Sequence, residues 1–242
     1  MKNKESSKNQ TSRNALLIRV MLIIIIFLFF KLSPVFGATP TATVKTSRPN
    51  IILAVPFTSQ APLAEWNDER QEDGCEEATA LMALAWVKNE KVSDKYEWRT
   101  RILKLSDWEQ KKYGEYRDVS LYHILVWIFG DYFSYGNVAI KPVRDAAEIL
   151  QELEKGHIVL APMDGQALKN PYFTAPGPER HMILIKGYDY QTAEFITHDP
   201  GTRRGENYRY SGKVLFDAIR VYRTGYHVPF GEIRKEMIVV GK

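Results

Sequence analysis

The stretch that decides the fold of this 242-residue chain runs from Asp73 to Lys88 and reads DGCEEATALMALAWVK. Its apolar side chains recur at the three- and four-residue spacing of one helical face: Ala78, Leu81, Met82, Ala85 and Trp86. A turn containing Asp73 and Gly74 precedes them, and two glutamates occupy the first turn, where negative charge suits a helix N-terminus. The pattern predicts an apolar helix with Cys75 at its start.

Cys75 is the only cysteine of the chain, so it cannot form an intramolecular disulfide. At a helix start, unpaired backbone N–H groups and the positive end of the helix dipole stabilise a thiolate. The position therefore suits a reactive thiol. The alternative, which this stretch alone leaves open, is a small buried hydrophobic side chain.

Residues 1–38 have the pattern of an export signal. A polar, basic region ends at Arg19, and eleven uninterrupted apolar residues follow from Val20 to Phe30. The small residues Gly37 and Ala38 suit a cleavage site. The apolar run is short for a bilayer span of about 20 residues, so we expect a cleaved signal peptide, with an uncleaved membrane anchor as the alternative. Either form places the rest of the chain outside the cytoplasm, secreted or anchored to the outer face of the cell membrane.

Residues 39–49 are rich in Thr, Pro and Ser and predict a linker, and residues 50–242 predict one domain.

The net charge of +4 comes from the N-terminal segment 1–38, which holds six lysines and arginines against one glutamate. The rest of the chain carries a net charge of −1. Between Lys91 and Asp118, aromatic and basic residues are interleaved with acidic ones. A nucleic-acid-binding surface is therefore not expected.

Helical patterns dominate the first half of the domain and strand patterns the second. We expect helical pieces between Lys91 and Asp118 and helices over 119–129, 143–155 and 214–223. The expected strands are 51–55, 157–162, 181–189 and 193–198, and a last apolar run at 237–240 closes the chain. This organisation predicts an α+β domain.

Four residues of the types that nucleophilic catalysis needs lie at the ends of these elements. Cys75 supplies a thiol, His181 begins one strand, Asp199 ends the next, and Gln60 follows the first strand. A histidine can take the thiol proton, a carboxylate can orient the histidine, and an amide can donate to an oxyanion. Neighbouring residues on a strand face opposite ways, so only one of His198 and Asp199 can face a cleft. An aspartate orients an imidazole better than a second histidine does, and we therefore assign Asp199 as the residue that orients His181.

The order Gln, Cys, His, Asp in these contexts resembles papain-like cysteine peptidases. More specifically, the chain resembles the extracytoplasmic, stand-alone relatives of peptidase family thirty-nine, the double-glycine (bacteriocin-processing) cysteine peptidases. Four motifs between about residues 50 and 225 carry the resemblance: VPFTSQ at 55–60, DGCEEA at 73–78, the strand from 181 that ends in GYD at 187–189, and HDPG at 198–201. The resemblance implies a papain-like α+β fold, with an N-terminal helical half whose nucleophile helix packs on an antiparallel sheet.

Two features depart from the bacteriocin-processing members. Those proteins usually carry a glycine directly after the nucleophile, where this chain has Glu76. They also carry a glutamine closer to the cysteine than Gln60 is. Gln71 is therefore the alternative oxyanion donor.

The resemblance implies an exported thiol hydrolase that cleaves peptide bonds through a Cys-His-Asp triad. A Cys75 thiolate, paired with the His181 imidazolium, attacks a carbonyl while Asp199 fixes the imidazole tautomer. The backbone N–H of Cys75 and the side chain of Gln60 hold the oxyanion. His181 then protonates the leaving amine, and water releases the acyl group.

The loop from Asp164 to Arg180 leads directly into His181 and is rich in Gly, Pro and Asn. We expect it to form one wall of a substrate cleft, with Asn170, Tyr172 and Phe173 as substrate contacts. The alternative is a solvated loop without a functional role.

Two further classes of function stay open: a cell-wall amidase or endopeptidase of the same chemistry, and a non-catalytic binding module on the same scaffold. A histidine in a strand can also be a hydrogen-bonded core residue. His123, His157 and His227 are scattered and no metal-ligand spacing occurs, so no metal or other cofactor is expected. The expected partner is a peptide or protein substrate, with membrane association only through the N-terminal segment.

Overall fold

The computed structural model describes residues 48–242. The predicted signal peptide or anchor (1–38) and all but the last two residues of the predicted linker (39–49) lie outside the described residues. Within the described range, no helix has the length and apolar character that a bilayer crossing requires.

The described residues contain a seven-stranded antiparallel sheet. Its strands are β1 Ile51–Ile52, β2 Val138–Pro142, β3 Ile158–Met163, β4 His181–Asp189, β5 Glu194–His198, β6 Tyr208–Ser211 and β7 Glu236–Val240. The order across the sheet is β2-β7-β3-β4-β5-β6, and β1 pairs with the last residues of β4. This arrangement of helices and antiparallel strands confirms the predicted α+β fold.

Helices cover both faces of this sheet. They are α1 Glu69–Glu72, α2 Cys75–Val87, α3 Lys95–Tyr113, α4 Leu121–His123, a π-helix Ile124–Tyr132, α5 Ala146–Glu154, α6 Gly165–Leu168 and α7 Gly212–Ala218. One hydrophobic core forms between the sheet and α2, α3 and the π-helix. A second core forms on the opposite face against α5, α6 and α7.

Strand β4 separates the two cores. Met182 and Leu184 pack into the core that contains α2, while Ile183 and Ile185 pack into the core that contains α5 and α7. All four side chains are fully buried, as the continuous apolar run of a central strand predicts. Gly187 lets β1 approach the end of β4, because a Cβ there would lie 2.3 Å from the Ile51 carbonyl oxygen.

Helix α2 is buried on all sides rather than on one face, since every residue from Cys75 to Trp86 is buried. The sheet covers one side and α3 with the π-helix covers the other. The alanines of the helix allow this close packing because they project little beyond the backbone. Gly74, which precedes the helix, is required for the same reason: a Cβ there would lie 2.5 Å from the Arg70 carbonyl oxygen.

Several element boundaries differ from the sequence expectation. The helix expected over 143–155 is Ala146–Glu154, because the Asp145 side chain accepts from the N–H groups of Ala147 and Glu148 and fixes its start. The pieces expected between 91 and 118 form one helix, α3. The helix expected over 119–129 begins at Leu121 and continues after His123 as the π-helix.

The strand half also differs in detail. The strand expected over 51–55 is paired only at Ile51–Ile52, and the helix expected over 214–223 ends at Ala218. Strands β2 and β6 were not predicted, and each lies at an edge of the sheet. The edge position explains why Pro142 is tolerated in β2.

Candidate active site

A cavity of about 1110 Å³ opens where α2 and β4 both begin. Three of the four predicted catalytic residues, Gln60, Cys75 and His181, line it. The fourth, Asp199, is fully buried behind His181. The fold thus gathers residues that are more than 130 positions apart in the sequence around one cavity.

His181 and Asp199 form a buried pair in which the Nε2 atom of His181 lies 2.8 Å from Oδ1 of Asp199. The antiparallel register explains this contact. Leu184 pairs with His198, so the chain that leaves β5 runs beside the residues that begin β4. The side chain of Asp199, rather than that of His198, is the one that reaches His181.

Asp199 accepts three further hydrogen bonds. The Tyr210 hydroxyl donates to Oδ2 at 2.7 Å, the Asn170 side-chain amide donates to Oδ2 at 3.0 Å, and the Gly201 N–H donates to Oδ1 at 3.1 Å. Burial on its own would raise the pKa of Asp199, but the adjacent His181 and the donated hydrogen bonds outweigh it and hold the pKa below the usual value. The carboxylate is therefore ionised and fixed in place.

Cys75 differs from the sequence expectation in its hydrogen-bond partner. Its Sγ donates to Oε2 of Glu76 at 3.0 Å, and no hydrogen bond joins it to His181 among the described residues. Burial, followed by the charge of Glu76, raises the pKa of the thiol well above its ordinary value. The expectation that the helix start lowers this pKa is therefore wrong for the observed arrangement, because desolvation and a neighbouring carboxyl outweigh the helix dipole.

Gln60 and Gln71, the two candidate oxyanion donors, lie in different surroundings. Gln60 lines the cavity, its N–H donates to the Pro200 carbonyl at 2.9 Å, and its side-chain Nε2 donates to the Glu72 carbonyl at 2.6 Å. Gln71 is fully buried, does not line the cavity, and donates its side-chain amide to Glu65 at 3.2 Å. Of the two, only Gln60 has access to a bound substrate.

The loop from Asp164 to Arg180 contributes two of its three predicted contacts. Tyr172 and Phe173 line the cavity, and the Phe173 ring lies edge-on to the His181 ring with centroids 5.3 Å apart. Asn170 does not line the cavity, because its amide is directed at Asp199 and at the Tyr210 hydroxyl. Its role is to position the carboxylate rather than to contact substrate.

Of the other histidines, His227 lines the same cavity as Cys75 and His181, and its backbone N–H donates to Asp118. The remaining three do not line this cavity. His198 is fully buried, its Nε2 lies 2.9 Å from the Val55 carbonyl, and its Nδ1 accepts from the Asn207 N–H. Burial lowers the pKa of His198 to about 4, so the ring is neutral. His123 and His157 contact Thr224 and Glu152. Within residues 48–242, no group of three His, Cys, Asp or Glu residues is arranged to hold a metal ion.

Three residues of the site were not predicted as members from the sequence: Glu76, Tyr210 and Tyr222. The sequence presents Glu76 as a favourable charge at a helix start, as the residue that replaces a glycine after the nucleophile, and as a group that would oppose the thiolate if it crowded the sulfur, but not as a member of the site. Tyr210 lies on β6, which had no recognisable strand pattern. The Tyr222 hydroxyl donates to Glu76 at 2.6 Å across 146 positions of sequence, and no local signal could have revealed that contact.

Comparison with known proteins decides the family. The model of the Peptidase_C39 like family matches residues 52–226, which is most of the chain. The chain belongs to this family. Among solved structures, a C39-like peptidase from Bacillus anthracis superposes with a TM-score of 0.50 at 15% identity, covering 81% of this chain and 98% of that one. No curated protein matches the chain. The family and the shared fold confirm the resemblance drawn from the four motifs and make the protein a member of a peptidase family.

Proposed function

We propose that the protein is an exported cysteine peptidase that hydrolyses peptide bonds with Cys75, His181 and Asp199. One observation carries the proposal: the buried His181–Asp199 pair, joined at 2.8 Å, lies at the cavity that the only cysteine of the chain also lines. A thiol, an imidazole and an ionised carboxylate at one cavity match the needs of acyl transfer. Membership of a peptidase family supports the same reaction.

The contact between His181 and Asp199 supports a separate role for each ring nitrogen. Nε2 contacts Asp199, so Nδ1 is the atom that takes the thiol proton and later protonates the leaving amine. Asp199 fixes this tautomer and stabilises the imidazolium that forms. For attack, the Cys75 proton passes to His181 rather than remaining directed at Glu76.

Two donors are available to the oxyanion. The backbone N–H of Cys75 belongs to the first turn of α2, whose N–H groups have no acceptor within the helix. The Gln60 amide carries two hydrogens, of which one donates to the Glu72 carbonyl. The second is free to donate to a substrate oxygen at the cavity.

The decisive experiment incubates the purified protein with peptide and muropeptide libraries and identifies the cleaved bonds by mass spectrometry. Peptide hydrolysis that Cys75→Ala and His181→Ala abolish supports the proposal, and Asp199→Asn should lower turnover without abolishing it. Cleavage confined to muropeptides would make the protein a cell-wall amidase or endopeptidase instead. Binding without cleavage in either library would make it a binding module.

Gln60→Ala tests the oxyanion donor, with Gln71→Ala as the matched control. Loss of one such donor costs about 100- to 1,000-fold in turnover, with little change in substrate affinity. Gln71→Ala should instead lower stability and leave the turnover of the folded fraction nearly normal, because Gln71 is buried away from the cavity. The opposite pattern would transfer the donor role to Gln71.

Export is proposed from residues 1–38, whose basic region and apolar run have the pattern of a signal peptide. N-terminal sequencing of the protein recovered outside the cytoplasm should begin near Ala38 if the leader is cleaved. An intact leader in a membrane fraction would indicate an anchor. Recovery of the full chain from the soluble cytoplasm would refute both forms.

A further inference from the structure

Glu76 joins the candidate nucleophile to a tyrosine beside the candidate base. Its side chain is 1% exposed. Oε2 accepts from the Cys75 Sγ at 3.0 Å, and Oε1 accepts from the Tyr222 hydroxyl at 2.6 Å. The same hydroxyl lies 3.3 Å from the backbone carbonyl oxygen of His181. A carboxyl group in contact with the reacting sulfur is therefore held in place from both ends.

The effect of this carboxyl on the thiol depends on its proton. An ionised Glu76 accepts the S–H hydrogen bond and repels a thiolate, so it keeps Cys75 protonated. A protonated Glu76 can donate its O–H to the sulfur, and this hydrogen bond stabilises the thiolate. In water-excluded surroundings both effects are larger than they are in solvent.

We propose that Glu76 is a further catalytic residue: in its protonated form it donates a hydrogen bond to the Cys75 thiolate, and its ionisation suppresses the nucleophile. This inference rests on the proposed role of Cys75. No covalent chemistry is added to the reaction, since the thiol proton still passes to His181 and the proton of Glu76 stays on Glu76.

The surroundings of Glu76 favour the protonated form at neutral pH. Burial is the largest influence, and it raises the pKa of Glu76 to about 8 even though the hydrogen bonds from Cys75 and Tyr222 oppose it. Other titratable groups that face it are acidic: Glu77 on the same helix, Glu109 on α3 and Asp118 in the segment after α3. Each disfavours a further negative charge.

The test measures the rate at which iodoacetamide alkylates the full-length protein between pH 5 and pH 10. Cys75 is the only cysteine, so total alkylation reports this thiol without any substrate. In the wild type, the rate should fall above about pH 8, approaching tenfold per pH unit, as Glu76 ionises. Glu76→Gln keeps a neutral donor at all pH values, so its rate should match the wild type within about twofold at pH 6 and exceed it about tenfold at pH 9.

Two further variants keep the test decisive if Glu76→Gln does not fold. Tyr222→Phe removes a hydrogen bond that lowers the pKa of Glu76, so the fall in rate should move to higher pH. Glu148→Gln changes a carboxyl on α5 that pairs with Arg144 and lies outside the group around Glu76, and it should leave the profile in place.

The inference would be overturned if the alkylation rate rose continuously with pH and the wild type and Glu76→Gln had the same pH profile. The same pH profile in the wild type and Tyr222→Phe would overturn it as well. Failure of the proposed peptidase activity would be visible separately. In that case Cys75→Ala would retain peptide hydrolysis, or no hydrolysis would be found, whatever the alkylation profile.

Discussion

The hydrogen bond from Tyr210 to Asp199 offers a quantitative test of the observed site. Tyr210→Phe removes only the hydroxyl oxygen, so the packing of the ring is preserved. The lost bond is a 2.7 Å contact to a fully buried, ionised carboxylate. Asn170 also loses an acceptor, because its amide donates to the Tyr210 hydroxyl at 2.9 Å.

Hydrogen bonds to charged groups contribute about 1.5 to 3 kcal/mol. Asp199 keeps its partners Asn170, Gly201 and His181 in the variant, so the lower half of that range applies. We expect the free energy of unfolding to fall by about 2 kcal/mol, which corresponds to about 4 to 8 °C in melting temperature for a domain of this size. Urea denaturation at pH 7 and thermal unfolding measure the two quantities.

The pH dependence of this loss has a defined sign. The pKa of Asp199 is below its usual value of 3.8, so its stabilising effect is present above the unfolded-state pKa and disappears as the pH falls through the folded-state pKa. Tyr210→Phe raises the folded-state pKa. The stability difference from the wild type should therefore be largest near pH 7 and shrink only in acid below the ordinary carboxyl pKa.

Tyr208→Phe is the matched control, because Tyr208 lies on the same strand and its hydroxyl makes no hydrogen bond among the described residues. It should change the unfolding free energy by less than about 0.5 kcal/mol. If Tyr210→Phe is as stable as the wild type, or if Tyr208→Phe loses as much, the hydrogen bonding described around Asp199 is wrong.

Two other predictions concern Gly201 and a buried carboxyl pair. Gly201→Ala places a Cβ 2.8 Å from Cε1 of His181, so it should displace the imidazole, lower peptide turnover more than tenfold and reduce stability by about 1 to 3 kcal/mol. The control is Gly136→Ala, whose Cβ would meet no atom within 4 Å. Equal peptide turnover by the two variants would contradict the prediction. Glu109 lies buried beside Glu77, and burial raises the pKa of Glu109 to about 8. The protonated carboxyl therefore contributes its full stabilisation below pH 4.5, and this contribution is lost as the pH rises to about 8. The free energy of unfolding of Glu109→Gln should therefore rise relative to that of the wild type over this interval, by up to about 1.4 kcal/mol per pH unit. Denaturation curves recorded from pH 5 to pH 8 measure it. A difference in unfolding free energy that stays constant with pH would show that the pair of carboxyls is not titrating.

Local patterns were sufficient for much of the fold. The apolar run from His181 predicted a central strand because a strand that packs on both faces needs apolar side chains at successive positions. The spacing from Ala78 to Trp86 predicted helix α2, since helical periodicity is a property of neighbouring residues. Strands β2 and β6 could not be predicted in the same way, because both lie at edges of the sheet and their pairing depends on distant partners.

For the candidate site, the sequence by itself determined which residue types were present and at which element ends they lie. It could favour Asp199 over His198 because strand alternation is local. It could not separate Gln60 from Gln71, since access to the cavity depends on how the segment from 60 to 72 folds against Pro200 and α3. It also assigned Asn170 to substrate, whereas tertiary packing directs its amide at Asp199.

The protonation of Cys75 was decided by tertiary structure alone. The sequence indicates a thiol at a helix start, and that position by itself lowers a pKa. The folded chain surrounds the thiol with packed side chains and brings Tyr222 from 146 positions away to fix Glu76 against the sulfur. Desolvation and the contact with Glu76 then outweigh the helix dipole. The sequence shows that a glutamate follows the cysteine, but whether it contacts the sulfur depends on which distant groups hold it there and exclude water from the site.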